Sequence, residues 1–93
     1  MSEVAERYLR ARDVLHAEVE GEEVLLNPRT GVYHLVNRTG RELLVRMEAG
    51  DSLESAIHAL AEASGEEIGR VRRDAVAFVG TMADRGLLEA AAG

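Results

Sequence analysis

The chain has 93 residues, a hydrophobic fraction of 46% and a formal net charge of −6 at pH 7. A chain of this length forms one domain, and its composition is that of a globular protein. Cysteine is absent, which excludes disulfides, and the acidic balance argues against general nucleic-acid binding. No apolar run approaches the roughly 20 residues of a membrane span, and no signal peptide is visible. We therefore expect a cytoplasmic protein that binds neither membranes nor nucleic acid.

The first part of the chain is predicted to lie outside the folded unit. Residues 1–12 are charged and alanine-rich, which indicates an N-terminal tail or a short helix anchored by Tyr8 and Leu9. The rest of the chain contains no internal repeat and no low-complexity linker. We therefore predict a single domain over residues 13–93.

A series of strand and turn signals follows. Apolar residues alternate along Val14–Val19, and Glu20-Gly21 is typical of a tight turn into a second strand over Glu22–Asn27. The segment Asn27–Gly31 contains Asn, Pro and Gly and predicts another turn, which leads into a third strand over Val32–Val36. These strands are predicted to form a three-stranded antiparallel sheet, about the smallest that is stable when helices cover it.

The remaining residues have helical periodicity and predict three helices. Asn37 and Thr39 are both suitable N-caps for the first helix, and Ser52 is suited to cap the second. The third helix is predicted from about Glu67 to Arg85, and the pair Leu87–Leu88 is expected to fold back onto the core. A three-stranded antiparallel sheet followed by three helices predicts an α+β fold that resembles a winged helix-turn-helix.

The side chains that commonly carry catalysis are not arranged for it in this sequence. His16, His34 and His58 lie on different predicted elements and lack the spacing of a metal site. The sequence contains neither a nucleophile elbow nor a glycine-rich phosphate loop. We therefore predict no catalytic residue, no metal, no cofactor and no enzymatic activity.

One short motif supports a different function. Asp51-Ser52-Leu53 is the tripeptide that carries the phosphopantetheine arm in acyl and peptidyl carrier proteins, and here it opens a predicted helix. Ser52 at a helix N-terminus would suit an attached phosphate. Asp and Ser are also ordinary N-caps, and carrier proteins are helical bundles that do not accommodate the predicted strands. The carrier function is therefore kept as an alternative.

The strand Val32–Val36 carries the most information about function. It is apolar on both faces, and as the last strand of the sheet it has one edge without a partner. An extended peptide could add to that edge as a fourth strand, with the third helix as the other wall of a groove. Ordinary core packing is the alternative explanation of the same pattern.

The predicted groove combines one strand with one helix. Arg72 and Arg73 would attract carboxylates of the peptide. The alternation leaves open which strand residues face the groove, because both sets are suitable for the core. The predicted peptide-binding residues are Val32, Tyr33, His34, Leu35, Val36, Arg72, Arg73, Ala75, Val76 and Val79.

Three ordered segments give the sequence a family resemblance. They read LLNPRTGVYHLVNRTGRELL, AGDSLESAIHALAEASG and VRRDAVAFVGTMADRGLLE, and the resemblance covers about residues 13–89. The set consists of a Thr-Gly turn, an aromatic in the next strand, a glycine break and a last helix before Gly-Leu-Leu. It resembles the PqqD-like family of RiPP recognition elements. No single motif is specific, but the ordered set is.

The resemblance implies a non-catalytic protein that binds the leader of a ribosomally made precursor peptide along the third strand and the last helix. A stand-alone chain of this length is most similar to the leader-binding proteins of lasso-peptide biosynthesis, which present the leader to a leader peptidase. A PqqD-type chaperone for a radical enzyme is an alternative, and a winged-helix DNA binder is another that the acidic charge disfavours. The expected partners are the leader and a maturation enzyme, and the chain is expected to be a monomer or a weak dimer.

Overall fold

The computed structural model describes residues 5–91, which form five strands and three helices. The second, third and fourth strands pair as an antiparallel meander in chain order, and the three helices follow them. The predicted α+β architecture is confirmed. The elements are β1 (Arg7–Arg10), β2 (Leu15–Val19), β3 (Glu22–Leu26), β4 (Tyr33–Val36), α1 (Arg38–Glu48), α2 (Leu53–Ser64), α3 (Ile68–Asp84) and β5 (Leu88–Ala91).

The turn between β3 and β4 is organised by Asn27. Its side-chain Oδ1 accepts a hydrogen bond from the backbone N–H two residues later at 3.0 Å, and its own N–H donates to the Val32 carbonyl at 2.8 Å. Gly31 has a φ of +78°, a conformation that glycine adopts at no steric cost. The turn fixes the register of the hairpin, in which Leu26 lies opposite Tyr33.

The N-terminal segment is not the predicted tail or short helix. Within the predicted range 1–12, Arg7–Arg10 is strand β1, which pairs antiparallel with β5, while residues 1–4 lie outside the described part of the chain. Tyr8 is buried in the core, and its backbone N–H donates to the Met47 sulfur at 3.4 Å. Local sequence does not indicate this strand, because its partner lies at the other end of the domain. The folded unit therefore includes residues before the predicted boundary.

The helix ends follow the capping signals of the sequence. Asn37, and not Thr39, caps α1, with its Oδ1 accepting from the N–H three residues later at 2.8 Å. Ser52 caps α2 in the same way at 3.0 Å. Gly65 ends α2 in the left-handed conformation with a φ of +74°. These caps satisfy backbone groups that the helices themselves leave unbonded.

The hydrophobic core lies where the inner face of the sheet meets the three helices. The residues after α3 turn back into it, so that Leu87 and Leu88 are buried as the sequence predicts. No helix within residues 5–91 is both long and apolar enough to cross a membrane. The largest fully buried apolar side chains are Leu25, Val36, Leu43, Leu44, Met47, Ile57, Val79, Met82 and Leu87.

Candidate functional site

Strand β4 is an edge of the three-stranded sheet. It pairs with β3 on one side, and no strand within residues 5–91 pairs with its other side. The outward N–H and C=O groups of such an edge can bond to an added strand. Tyr33–Val36 contains no proline and no Asp, Glu, Lys or Arg, so its own side chains do not block addition.

The two faces of β4 have different environments. Val36 is buried and His34 is half-buried, whereas Tyr33 is 68% exposed and Leu35 is 59% exposed. Because successive side chains of a strand point to opposite faces, His34 and Val36 point toward the helices, and Tyr33 and Leu35 point outward. The sequence did not decide which of the two sets of β4 residues faces the helices, and the structure has His34 and Val36 on that side.

Helix α3 is held close to both ends of β4. Near the start of the strand, the Asn27 side-chain amide donates to the carbonyl of Gly86, just after α3, at 3.3 Å. Near its end, Val36 and Phe78 both approach Gly40 on α1. A Cβ at Gly40 would lie 2.9 Å from Val36 Cγ1 and 3.3 Å from Phe78 Cζ. These contacts hold the C-terminal half of α3 near the hairpin turn and near the end of β4.

An open cleft of about 580 Å³ continues from the end of β4 between the three helices. Its volume lies within the range of sites that enclose ligand groups. Its apolar lining is formed by side chains from all three helices, with α3 contributing three of the six. These side chains are Leu43, Leu60, Ala63, Val71, Ala75 and Phe78.

Charged side chains of both signs surround the floor of the cleft. Glu42 is paired with Arg46 on the same helix at 3.2 Å, whereas Arg38 and Arg70 form no ion pair with any residue in the range 5–91. Arg70 therefore lines the cleft as a cation without an ionic partner in that range, whereas the Arg38 guanidinium packs against Gly21 of the turn between β2 and β3. The charged lining residues are Arg38, Glu42, Glu66, Arg70 and Asp74.

Arg72, a predicted groove residue, lies on the other side of α3. Its guanidinium is hydrogen-bonded to the Glu54 carboxylate on α2, with Nε to Oε1 at 3.3 Å. These hydrogen bonds raise the pKa of Arg72 and lower the pKa of Glu54. Residues two apart on a helix differ in direction by about 200°, so Arg72 points almost opposite to Asp74 of the cleft.

The other predicted groove residues fall into different environments. Ala75 lines the cleft, while Val79 is fully buried in the core. Val76 is half-buried outside the cleft lining, and Arg73 is exposed. Val32 is half-buried and packs against the core beside β4. The structure therefore brings Ala75 together with the end of β4 but does not bring Arg72, Arg73 or Val76 into the cleft wall.

The sequence reasoning missed the part of α3 that does line the cleft. Val71 and Phe78 have the periodicity of the core stripe, and for that reason they were not distinguished from core residues. They are seven residues apart, which places them on the same flank of the helix. One signal was available in the sequence, since Phe78 is the single phenylalanine of the chain. In the structure it is only half-buried and lines the cleft.

The alternative carrier function requires Ser52 to bear a prosthetic group. Ser52 Oγ accepts the hydrogen bond from the Ser55 N–H at 3.0 Å, as expected of an N-cap. The fold around it contains two antiparallel sheets, unlike the helical bundle of a carrier protein. Within residues 5–91 no cluster of three or more His, Cys, Asp or Glu side chains is arranged to hold a metal ion.

Comparison with known proteins identifies the family. A sequence profile described as coenzyme PQQ synthesis protein D (PqqD) matches residues 22–88, from the start of β3 to the start of β5. The chain belongs to the PqqD family. The resemblance predicted from the ordered sequence segments is therefore confirmed. No curated protein gives a significant match to the sequence.

A solved structure is similar to this PqqD-family chain over almost its whole length. It is described as TbiB1 in complex with the TbiA(beta) leader peptide, and the TM-score is 0.79. The two sequences are 27% identical, and the alignment covers 91% of this chain and 99% of the TbiB1 chain. The fold around β4 and α3 is thus similar to that of a protein solved with a leader peptide.

Proposed function

We propose that this PqqD-family protein is a RiPP recognition element that binds the leader segment of a ribosomally synthesised precursor peptide. The observation that carries the proposal is the similarity to TbiB1 over 91% of the chain, since TbiB1 was solved with a leader peptide. The free edge of β4 and the adjoining cleft support it, because they offer backbone and apolar contacts to an extended chain.

The leader is proposed to add antiparallel to β4 as a fourth strand of the sheet. Main-chain hydrogen bonds to Tyr33–Val36 would give affinity that depends little on the leader sequence. Every second leader side chain would point inward with His34 and Val36, toward the cleft floor at Val71 and Phe78. These inward side chains would carry specificity and would be apolar, with charged neighbours at the rim.

We also propose that the bound leader is delivered to a separate enzyme, the leader peptidase of a lasso-peptide pathway. The recognition protein itself is non-catalytic in this proposal, which rests on the family resemblance. Binding takes place in the cytoplasm, because a ribosomal precursor is made there. The family description refers to PQQ synthesis, and it favours a PqqD-type chaperone for a radical enzyme as the second candidate.

Isothermal titration with the leader of the co-encoded precursor tests the proposal. We expect a Kd of roughly 10 μM or tighter, which corresponds to about −7 kcal/mol, and no binding of a scrambled leader of equal composition. Amide hydrogen exchange should slow along β4 when the leader is present. Equal binding of both peptides, or none, would contradict leader recognition. Binding of a PQQ-precursor peptide in place of a lasso leader would favour the second candidate.

A further inference from the structure

The outer face of the three-stranded sheet is apolar and uncovered. We use the name outer sheet face for the outward side chains of Leu15, Val19, Val24, Leu26, Tyr33 and Leu35. The register aligns them in rows across the strands, with Leu15, Leu26 and Tyr33 in one row. Leu15 is 57% exposed and Val19 is 58% exposed, and no helix within residues 5–91 covers this side.

The chain uses the opposite face of the same strands for its core. Leu25 and Val36 are fully buried there, and the helices lie on that side. A one-sided sheet normally alternates apolar residues inward and polar residues outward. This sheet departs from that pattern, because its outward positions are mostly apolar while its inward positions include the charged Glu23 beside Leu25 and Val36. A contiguous exposed apolar patch of this kind is characteristic of an interaction surface.

We infer that the outer sheet face docks the enzyme that acts on the bound leader, an inference that rests on the proposed function. A leader strand added to β4 would extend this same face. Its outward side chains would lie beside Tyr33 and Leu35, about 4.8 Å from the strand. A protein seated on the outer sheet face would therefore contact this chain and the leader at once, so that it binds the loaded complex more tightly than the empty one.

The charges at one corner of the face define the chemistry of the partner. Glu22 points outward beside Val19 at the hairpin end, and Glu20 lies in the adjacent turn. Both are exposed, and neither forms an ion pair with another residue in the range 5–91. The matching surface would have an apolar centre and a Lys or Arg positioned to meet these carboxylates.

A second copy of this chain fits the outer sheet face poorly. In a twofold pairing of two such faces, Glu22 would meet either its own symmetry mate or the apolar end of the other face. Both arrangements are unfavourable, because they oppose like charges or bury an unpaired one.

The double variant Leu15→Thr/Val19→Thr tests the inference. Both residues lie on β2, about 10 Å from the free edge of β4, and threonine keeps a high strand propensity. The probe is the purified leader peptidase encoded with the precursor, with and without leader. We expect its affinity for the leader-bound chain to fall at least tenfold, while the affinity for leader stays unchanged. Val45→Thr, an exposed valine on α1, is the matched control and should change neither.

Three results would overturn the inference. The first is peptidase binding that is equal in the double variant and in the wild type. The second is wild-type protein that does not bind the peptidase in either state. The third is a dimer of the wild-type chain in sedimentation that the double variant abolishes, since this would assign the face to a second copy. Leader affinity is measured in the same samples. A wild-type chain that fails to bind leader contradicts the proposed function, and this result is distinguishable from a failure of peptidase docking alone.

Discussion

Arg10 of β1 donates two hydrogen bonds to the carboxylate of Glu23 on β3, from Nε at 2.6 Å and from Nη2 at 2.7 Å. Glu23 is only 2% exposed, and Arg41 and His16 approach the same carboxylate at 3.7 and 3.6 Å. The hydrogen bonds from Arg10 raise the pKa of the guanidinium in spite of its partial burial. This pair joins the N-terminal strand to the sheet that presents β4.

Removal of the Arg10 side chain should therefore destabilise the whole domain. We expect Arg10→Met to lower the free energy of unfolding by about 3 kcal/mol, because it leaves a buried carboxylate with weaker partners. Urea unfolding measures the loss. Arg12→Met, on an exposed neighbour, is the control and should cost less than about 0.5 kcal/mol. Equal losses in the two variants would show that the pair contributes little.

Gly40 controls how closely α3 approaches the end of β4. A Cβ there would lie 2.9 Å from Val36 Cγ1, so we expect Gly40→Ala to cost about 1–3 kcal/mol of stability and to weaken leader binding. Gly80 on α3 has no heavy atom within 4 Å of the corresponding position. Gly80→Ala should therefore stabilise the protein by about 0.5–1 kcal/mol through helix propensity. Thermal unfolding of both variants checks the opposite signs, and two changes of the same sign would contradict the packing argument.

Most of the fold could be predicted because its signals are local. The turn at Asn27–Gly31, the caps Asn37 and Ser52 and the stop at Gly65 each depend on a few adjacent residues. Strand β1 could not be predicted, since four residues carry little periodicity and its partner β5 lies at the opposite end of the domain. The formation of β1 depends on its tertiary pairing with β5 and not on local strand propensity.

The candidate site could be predicted only in part. An uncovered edge at Val32–Val36 follows from strand order, and the structure has β4 at that edge. The side of α3 that faces the cleft depends on how the helix is rotated against the sheet. Val71 belongs to the core stripe of the sequence and Val76 to an adjacent apolar flank, and neither position indicates that Val71 lines the cleft while Val76 does not. Packing against α1 and α2 sets that rotation.

The two valines provide a direct test of the cleft. Both are half-buried on α3, and replacement by threonine preserves shape while adding a hydroxyl. We expect Val71→Thr to weaken leader binding roughly tenfold, or about 1.4 kcal/mol, because the hydroxyl loses water when an apolar leader side chain covers it. Val76→Thr should leave the Kd unchanged. If titration shows that Val76→Thr weakens leader binding and Val71→Thr does not, the leader binds the flank of α3 that was predicted from the sequence.

Two experiments on Ser52 distinguish leader recognition from the carrier function. Since its Oγ caps α2, Ser52→Ala should lower stability by about 1 kcal/mol, as measured by urea unfolding. Incubation of the wild-type protein with coenzyme A and a phosphopantetheinyl transferase should leave its mass unchanged. A phosphopantetheine increment that is lost in Ser52→Ala would contradict this assignment and support a carrier protein.

The ion pair between Arg72 and Glu54 predicts a pH-dependent contribution to stability. The hydrogen bond from Arg72 lowers the pKa of Glu54, so the pair contributes fully above the ordinary pKa of glutamate. That contribution is lost as the pH falls through the lowered pKa of the folded state, because the carboxylate is then protonated. Both side chains are substantially exposed, so the effect is expected to be small and sensitive to salt.

Thermal unfolding of Arg72→Gln at two pH values measures this contribution. The midpoint of the variant should lie below that of the wild type at neutral pH and should coincide with it well below the ordinary pKa of glutamate. Arg73→Gln is the matched control, since Arg73 is exposed and forms no ion pair with another residue in the range 5–91. A midpoint difference for Arg72→Gln that persists in acid would assign the effect to packing of the arginine stem against α2, because protonated Glu54 no longer attracts the guanidinium.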